Sequence, residues 1–181
     1  MPEGGRPPSI DELNVMPPAE FAAVMAPLFE GAPRFLDRLA VARPFPTYAD
    51  LWPRALAIAR AMPEAEQIEL INAHPRLGAA PASVSAPSFR EQGYDREVVP
   101  SAERAPAGAG TERDAAELER LNVAYEARFG FRFCVFVDGR SRSALLPVLA
   151  ATLNADRETE IRRALGEVVA IAADRARTLL G

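Results

Sequence analysis

The chain contains no lysine: all 21 of its Lys/Arg positions are arginine. That absence excludes a lysine Schiff base, a lysine general base and the lysine of a phosphate-binding loop. Cysteine occurs once, at Cys134, so neither an intramolecular disulfide framework nor a multi-cysteine zinc site can form. Histidine also occurs once, at His74. With so few nitrogen and sulfur donors, no protein-held transition metal is expected. No apolar run approaches the roughly 18 residues of a membrane span, and the opening MPEGGRPPSIDELN has no signal-peptide core. A cytoplasmic setting is the expectation. The formal net charge is −4 and no basic cluster stands out, so neither nucleic acid nor an acidic membrane surface is an expected partner.

What remains is an ordinary globular composition. The chain has 181 residues, 49% hydrophobic and 25% charged, which suits one domain with a sizeable core. Residues 1–12, rich in Pro, Gly and charge, read as a flexible lead-in, and 13–181 as a helical domain. Phe21, Val24, Met25, Leu28 and Phe29 fall on one helical stripe begun by Pro17 and Pro18. TYADLWPRALAIARAM predicts a helix capped by Thr47, and PEAEQIELINAH one that stops before Pro75. Residues 93–113 read as a mobile loop. Helical spacing returns at Leu118, Leu121, Tyr125 and Phe129, and two further helices, near 141–153 and 156–180, close the chain. The expected fold is all-α, a bundle of about seven to nine helices.

One segment breaks the pattern. FRFCVFVDGR, from Phe131, reads as extended over 131–137 and closes on the turn pair Asp138-Gly139. No second run offers itself as a sheet partner. Its backbone groups must therefore be satisfied otherwise, either by helix ends and water within a tightly wrapped segment or by a ligand.

Three places could carry chemistry. In IELINAHPRLGA, His74 shares a face with Leu70 and Ile71, and Pro75 ends the helix behind it. The negative end of the helix favours imidazolium there, a structural cap, yet the same imidazole suits proton transfer near neutral pH. In SFREQ, Ser88 and Glu91 fit the capping-box pattern. A glutamate released from such a box could instead share proton work with a histidine. In the last helix Arg175 falls on the apolar stripe of Ile161, Leu165, Val168 and Ala172. A guanidinium there either forms an internal ion pair or awaits a carboxylate or planar heterocycle.

Taken together, LNVMPPAEF, LFEGAP, RPFPTYADL, QIELINAHPRLG, SFREQ, LNVAYEARFGFRF and EIRRALGEVVAIAADR, in this order, resemble 2-oxo-4-hydroxy-4-carboxy-5-ureidoimidazoline (OHCU) decarboxylases along nearly the whole chain. The resemblance implies an all-helical, cofactor-independent homodimer that decarboxylates OHCU to (S)-allantoin in urate breakdown, with that small molecule as its partner. It implies His74 and Glu91 as catalytic residues. Pro75, Ser88, Gln92, Phe133, Cys134, Val135, Phe136, Val137 and Arg175 would contact substrate. The substrate has its own electron sink, an imine-type carbon beside the carboxylate-bearing carbon, so no cofactor need supply one. Arg76 stands where the commoner motif has Asp, and Arg132 where it has Pro. The segment after Gln92 is longer and lacks the usual Gly-Ala-Gly-Leu run. Two other readings stay open: an enzyme of this fold acting on a related ureido or imidazoline acid, and a non-catalytic helical binding module.

Overall fold

The computed structural model describes residues 8–94 and 109–179. Among them are nine α-helices and no strand: α1 (Ile10–Val15), α2 (Pro18–Met25), α3 (Pro33–Val41), α4 (Tyr48–Ala61), α5 (Glu64–Ala73), α6 (Ala86–Glu91), α7 (Ala109–Phe129), α8 (Arg142–Thr152) and α9 (Arg157–Leu179). The all-α expectation holds. Contacts gather the chain into two compact units, one running to His74 and resuming at Leu165, the other spanning Pro75–Ala164.

In the first unit, order begins earlier than the sequence reading placed it. Ser9 and Glu12 form a reciprocal capping box at the start of α1, the Ser9 amide donating to Glu12 Oε2 at 2.7 Å and the Glu12 amide to Ser9 Oγ at 3.2 Å. Residues 10–12 are thus helical; 1–7 lie outside the described residues. Arg43 closes the other end of α1 by donating to the carbonyls of Leu13 at 2.9 Å and Met16 at 2.6 Å, which a helix end otherwise leaves open. Asn14 clasps the Phe45 backbone twice, at 2.8 Å each way. The stripe predicted as one helix splits: α2 ends at Met25 and a 3₁₀ turn covers Ala26–Leu28. Pro27 lacks the amide that a continuing α-helix would use, and its ring crowds the preceding turn. Phe21, Met25, Leu28, Phe29, Leu39 and Ile71 are buried in this unit.

The second unit corrects the reading of SFREQ. The N-cap of α6 is Ser85, whose hydroxyl accepts from the Ser88 amide at 3.3 Å. Ser88 lies inside the helix and is buried, and Glu91 is its last residue. Pro87 at the second helical position explains the shift: a proline is tolerated only in the first turn, so the helix must start just before it. Helix α7 begins at Ala109, so 109–113, read as loop, are helical; 95–108 lie outside the described residues.

Residues 132–137 are extended and unpaired with any strand, as expected, and turn at Asp138 (φ 48°) and Gly139 (φ 68°). Arginines take several of the carbonyls. Arg163 donates to Cys134 O at 3.0 Å, and Arg140 donates through its side chain to Phe136 O and, at 3.1 Å, to Val137 O. Phe131 and Phe133 pack edge-on against Tyr125, with ring centroids 5.6 and 5.3 Å away.

Candidate active site

His74 is the C-cap of α5. Its backbone is extended (φ −73°, ψ 140°), the conformation Pro75 imposes on the residue before it, and its amide donates to Ile71 O at 3.2 Å. The residue is 4% exposed. Burial first, and then the Arg175 guanidinium, lower the imidazole to about 4. Glu30 and a backbone hydrogen bond at Leu70 pull the other way. The expected helix-end preference for imidazolium is overridden. A helix terminus is worth ~0.3–1 kcal/mol, whereas full burial can move a pKa by ~3–5 units. His74 is therefore a neutral base at pH 7.

Arg175 is 3% exposed and sits where the stripe of α9 predicted. One terminal nitrogen donates to the carbonyls of Pro27 at 3.0 Å and Leu28 at 3.4 Å, the other to Glu30 Oε1 at 2.8 Å. The first unit thus assembles an imidazole, a guanidinium and a carboxylate from α5, α9 and the turn after the 3₁₀ segment. Glu30 was missed in the sequence. Its only signal is the Glu-Gly pair of LFEGAP, which looks like an ordinary helix stop.

The remaining candidates lie in the second unit. Ser88, Glu91 and Gln92 share α6 and its C-cap, with Glu91 and Gln92 half-buried. Gln92 braces the loop after Pro75: its Oε1 accepts from the Gly78 amide at 2.8 Å and from the Tyr94 hydroxyl at 3.2 Å, and its Nε2 donates to Arg76 O at 3.4 Å. Asn122 adds a donation to Leu77 O at 3.0 Å, and Tyr94 one to Ala79 O at 2.5 Å. The sequence reading singled out neither residue. Phe133, Cys134, Val135 and Val137 are buried and Phe136 half-buried. Of the two departures from the commoner motif, Arg132 is exposed. Arg76 is engaged by α7, at 2.7 Å from Glu119 and 2.9 Å from Glu126.

An all-helical chain with a buried neutral imidazole beside a guanidinium–carboxylate pair is equipped to move a proton next to an anion. The OHCU decarboxylase family profile matches residues 14–177. The chain is 32% identical over 164 residues to the uric acid degradation bifunctional protein PucL of Bacillus subtilis, covering 91% of this chain but only 31% of that protein. It is 30% identical over 173 residues to the 2-oxo-4-hydroxy-4-carboxy-5-ureidoimidazoline decarboxylase of Mus musculus, covering 94% and 92% of the two chains. The fold is shared with a crystal structure of (S)-allantoin synthase, at a TM-score of 0.65 and 20% identity over 96% of this chain and 54% of that one. The chain belongs to the OHCU decarboxylase family.

Proposed function

We propose that this chain decarboxylates OHCU to (S)-allantoin, with His74 as the group that moves the proton. The observation that supports it most directly is the neutral, buried His74 beside the Arg175–Glu30 pair, in a chain of this family. The carboxylate leaves as carbon dioxide, and its bonding electron pair flows into the adjacent ring imine, whose nitrogen takes a proton. The resulting enol gives up its hydroxyl proton, and the neighbouring carbon gains one. A neutral imidazole can take the hydroxyl proton and return a proton to one ring face, which sets the configuration.

In this reading Glu91 assists the proton transfer. Ser88, Gln92 and the 133–137 segment hold the substrate with Pro75 and Arg175, a guanidinium suited to a carboxylate. A homodimer in the cytoplasm, acting without a cofactor, is proposed with it on the family resemblance alone.

The test is circular dichroism of allantoin formed from urate by urate oxidase and hydroxyisourate hydrolase, with and without this chain. Fast appearance of one enantiomer, lost in His74→Ala, is the expected result. A racemic product at the uncatalysed rate, from folded wild-type protein, would sink the reading.

A further inference from the structure

Glu30 stands in an unusual place for an ion-pairing residue. Its backbone has φ 52° and is followed by Gly31 at φ 90°. A side chain with a Cβ is disfavoured in that left-handed region, and glycine or asparagine would hold the turn more cheaply. A glutamate that accepts this conformation is kept there by what its carboxylate does. Its carboxylate meets Arg175 at 2.8 Å, with the guanidinium 3% and the Glu30 side chain 14% exposed. The carbonyls of Pro27 and Leu28 also accept from Arg175, but they are neutral. The glutamate adds the countercharge.

We propose that Glu30 is a positioning residue for the reaction: its carboxylate holds the Arg175 guanidinium on the 27–30 turn, and the pair fixes the charge environment in which His74 gives and takes its proton. This deepens the proposed function and rests on it for its kinetic readout.

The electrostatic reasoning concerns three elements. Arg175 from α9 opposes a positive imidazole, Glu30 from the turn favours one, and on its own helix His74 has a backbone hydrogen bond at Leu70. When His74 takes the hydroxyl proton of the substrate it becomes imidazolium beside a guanidinium. Two adjacent cations in a buried site repel strongly, and Glu30 offsets that repulsion at the moment it arises. The same carboxylate stops Arg175 from swinging away, so the guanidinium stays aimed for an anionic ligand.

Because His74 is the sole histidine, its ring carbon protons give one unambiguous NMR titration. Glu30→Gln keeps the shape and removes the charge; Glu30→Asp keeps the charge. Near pH 4, where the wild-type imidazole is about half protonated, the Gln variant is expected to remain neutral. Its kcat should fall by about tenfold or more, with KM changed less. Glu30→Asp should restore the NMR midpoint and most of kcat. An unchanged midpoint in folded Glu30→Gln overturns the proposal. So does loss of folding in both variants, because the carboxylate would then be only a structural anchor. If the wild-type chain shows no turnover, the decarboxylase reading falls. The titration alone would still decide whether Glu30 sets the charge state of His74.

Discussion

The Tyr125 hydroxyl donates to Glu160 Oε1 at 2.6 Å, inside the second unit. The same carboxylate accepts from Arg163 at 2.6 to 3.0 Å, and Arg163 reaches on to Cys134 O. One run of bonds therefore ties α7, the start of α9 and the extended segment together. Tyr125→Phe removes a hydrogen bond from a carboxylate that is 1% exposed and should cost about 1.5–3 kcal/mol in urea denaturation. Burial first, then Glu160, raise the phenol above its ordinary value. Its contribution is present below about pH 10 and is lost as pH rises toward the folded value. The alkaline loss of stability should thus be weaker in Tyr125→Phe.

His74 gives the opposite pH dependence. Its folded value of about 4 lies below the ordinary 6.5, so between these the unfolded chain binds the proton more readily. Stability is then fully present above about pH 6.5 and falls toward pH 4, by about 3 kcal/mol in all. Urea midpoints at pH 7.5 and 4.5 should diverge less in His74→Gln than in the wild type. An equal divergence would mean that the acid sensitivity arises elsewhere.

Ser85 and Ser88 should separate cleanly. Ser85→Ala removes the α6 cap and is expected to cost about 1 kcal/mol of stability while leaving KM nearly unchanged. Ser88→Ala should raise KM, if its buried hydroxyl meets substrate as proposed. Parallel urea and steady-state measurements decide it; a Ser88→Ala enzyme with unaltered kinetics removes that residue from the binding set.

Arg76→Met tests whether the departure from the family motif concerns substrate or scaffold. The side chain is 25% exposed and is shared between Glu119 and Glu126, seven residues apart and so on one face of α7. Two such partly exposed pairs together contribute on the order of 1 kcal/mol, so Tm should fall by about 2–4 °C with substrate preference retained. A changed preference among ureido acids would favour the alternative enzyme reading.

The helices and their buried faces were legible in the sequence because period and punctuation are local. Arg175 was found by its phase on the stripe of α9, and the extended segment by its alternation. The errors were local too. Ser-x-x-Glu makes Ser88 look like a cap, while Pro87 forces an earlier start, at Ser85. The 3₁₀ turn at Pro27 was hidden by continuous apolar spacing. Glu30 was beyond reach for another reason: its partner lies 145 residues away, and no local pattern carries that distance. The protonation of His74 is hidden likewise, since a helix end is visible in a sequence but depth of burial is not.

The extended segment has one further consequence. Stretches such as 132–137, rich in Phe and Val, are the usual templates for cross-β aggregation, which starts when an incoming chain pairs with open carbonyls along an edge. Here guanidinium groups of Arg140 and Arg163 already occupy the carbonyls of Cys134, Phe136 and Val137. A strand arriving at those positions would have to displace charged donors. The arginines that hold this segment in place also guard it against adding a neighbour.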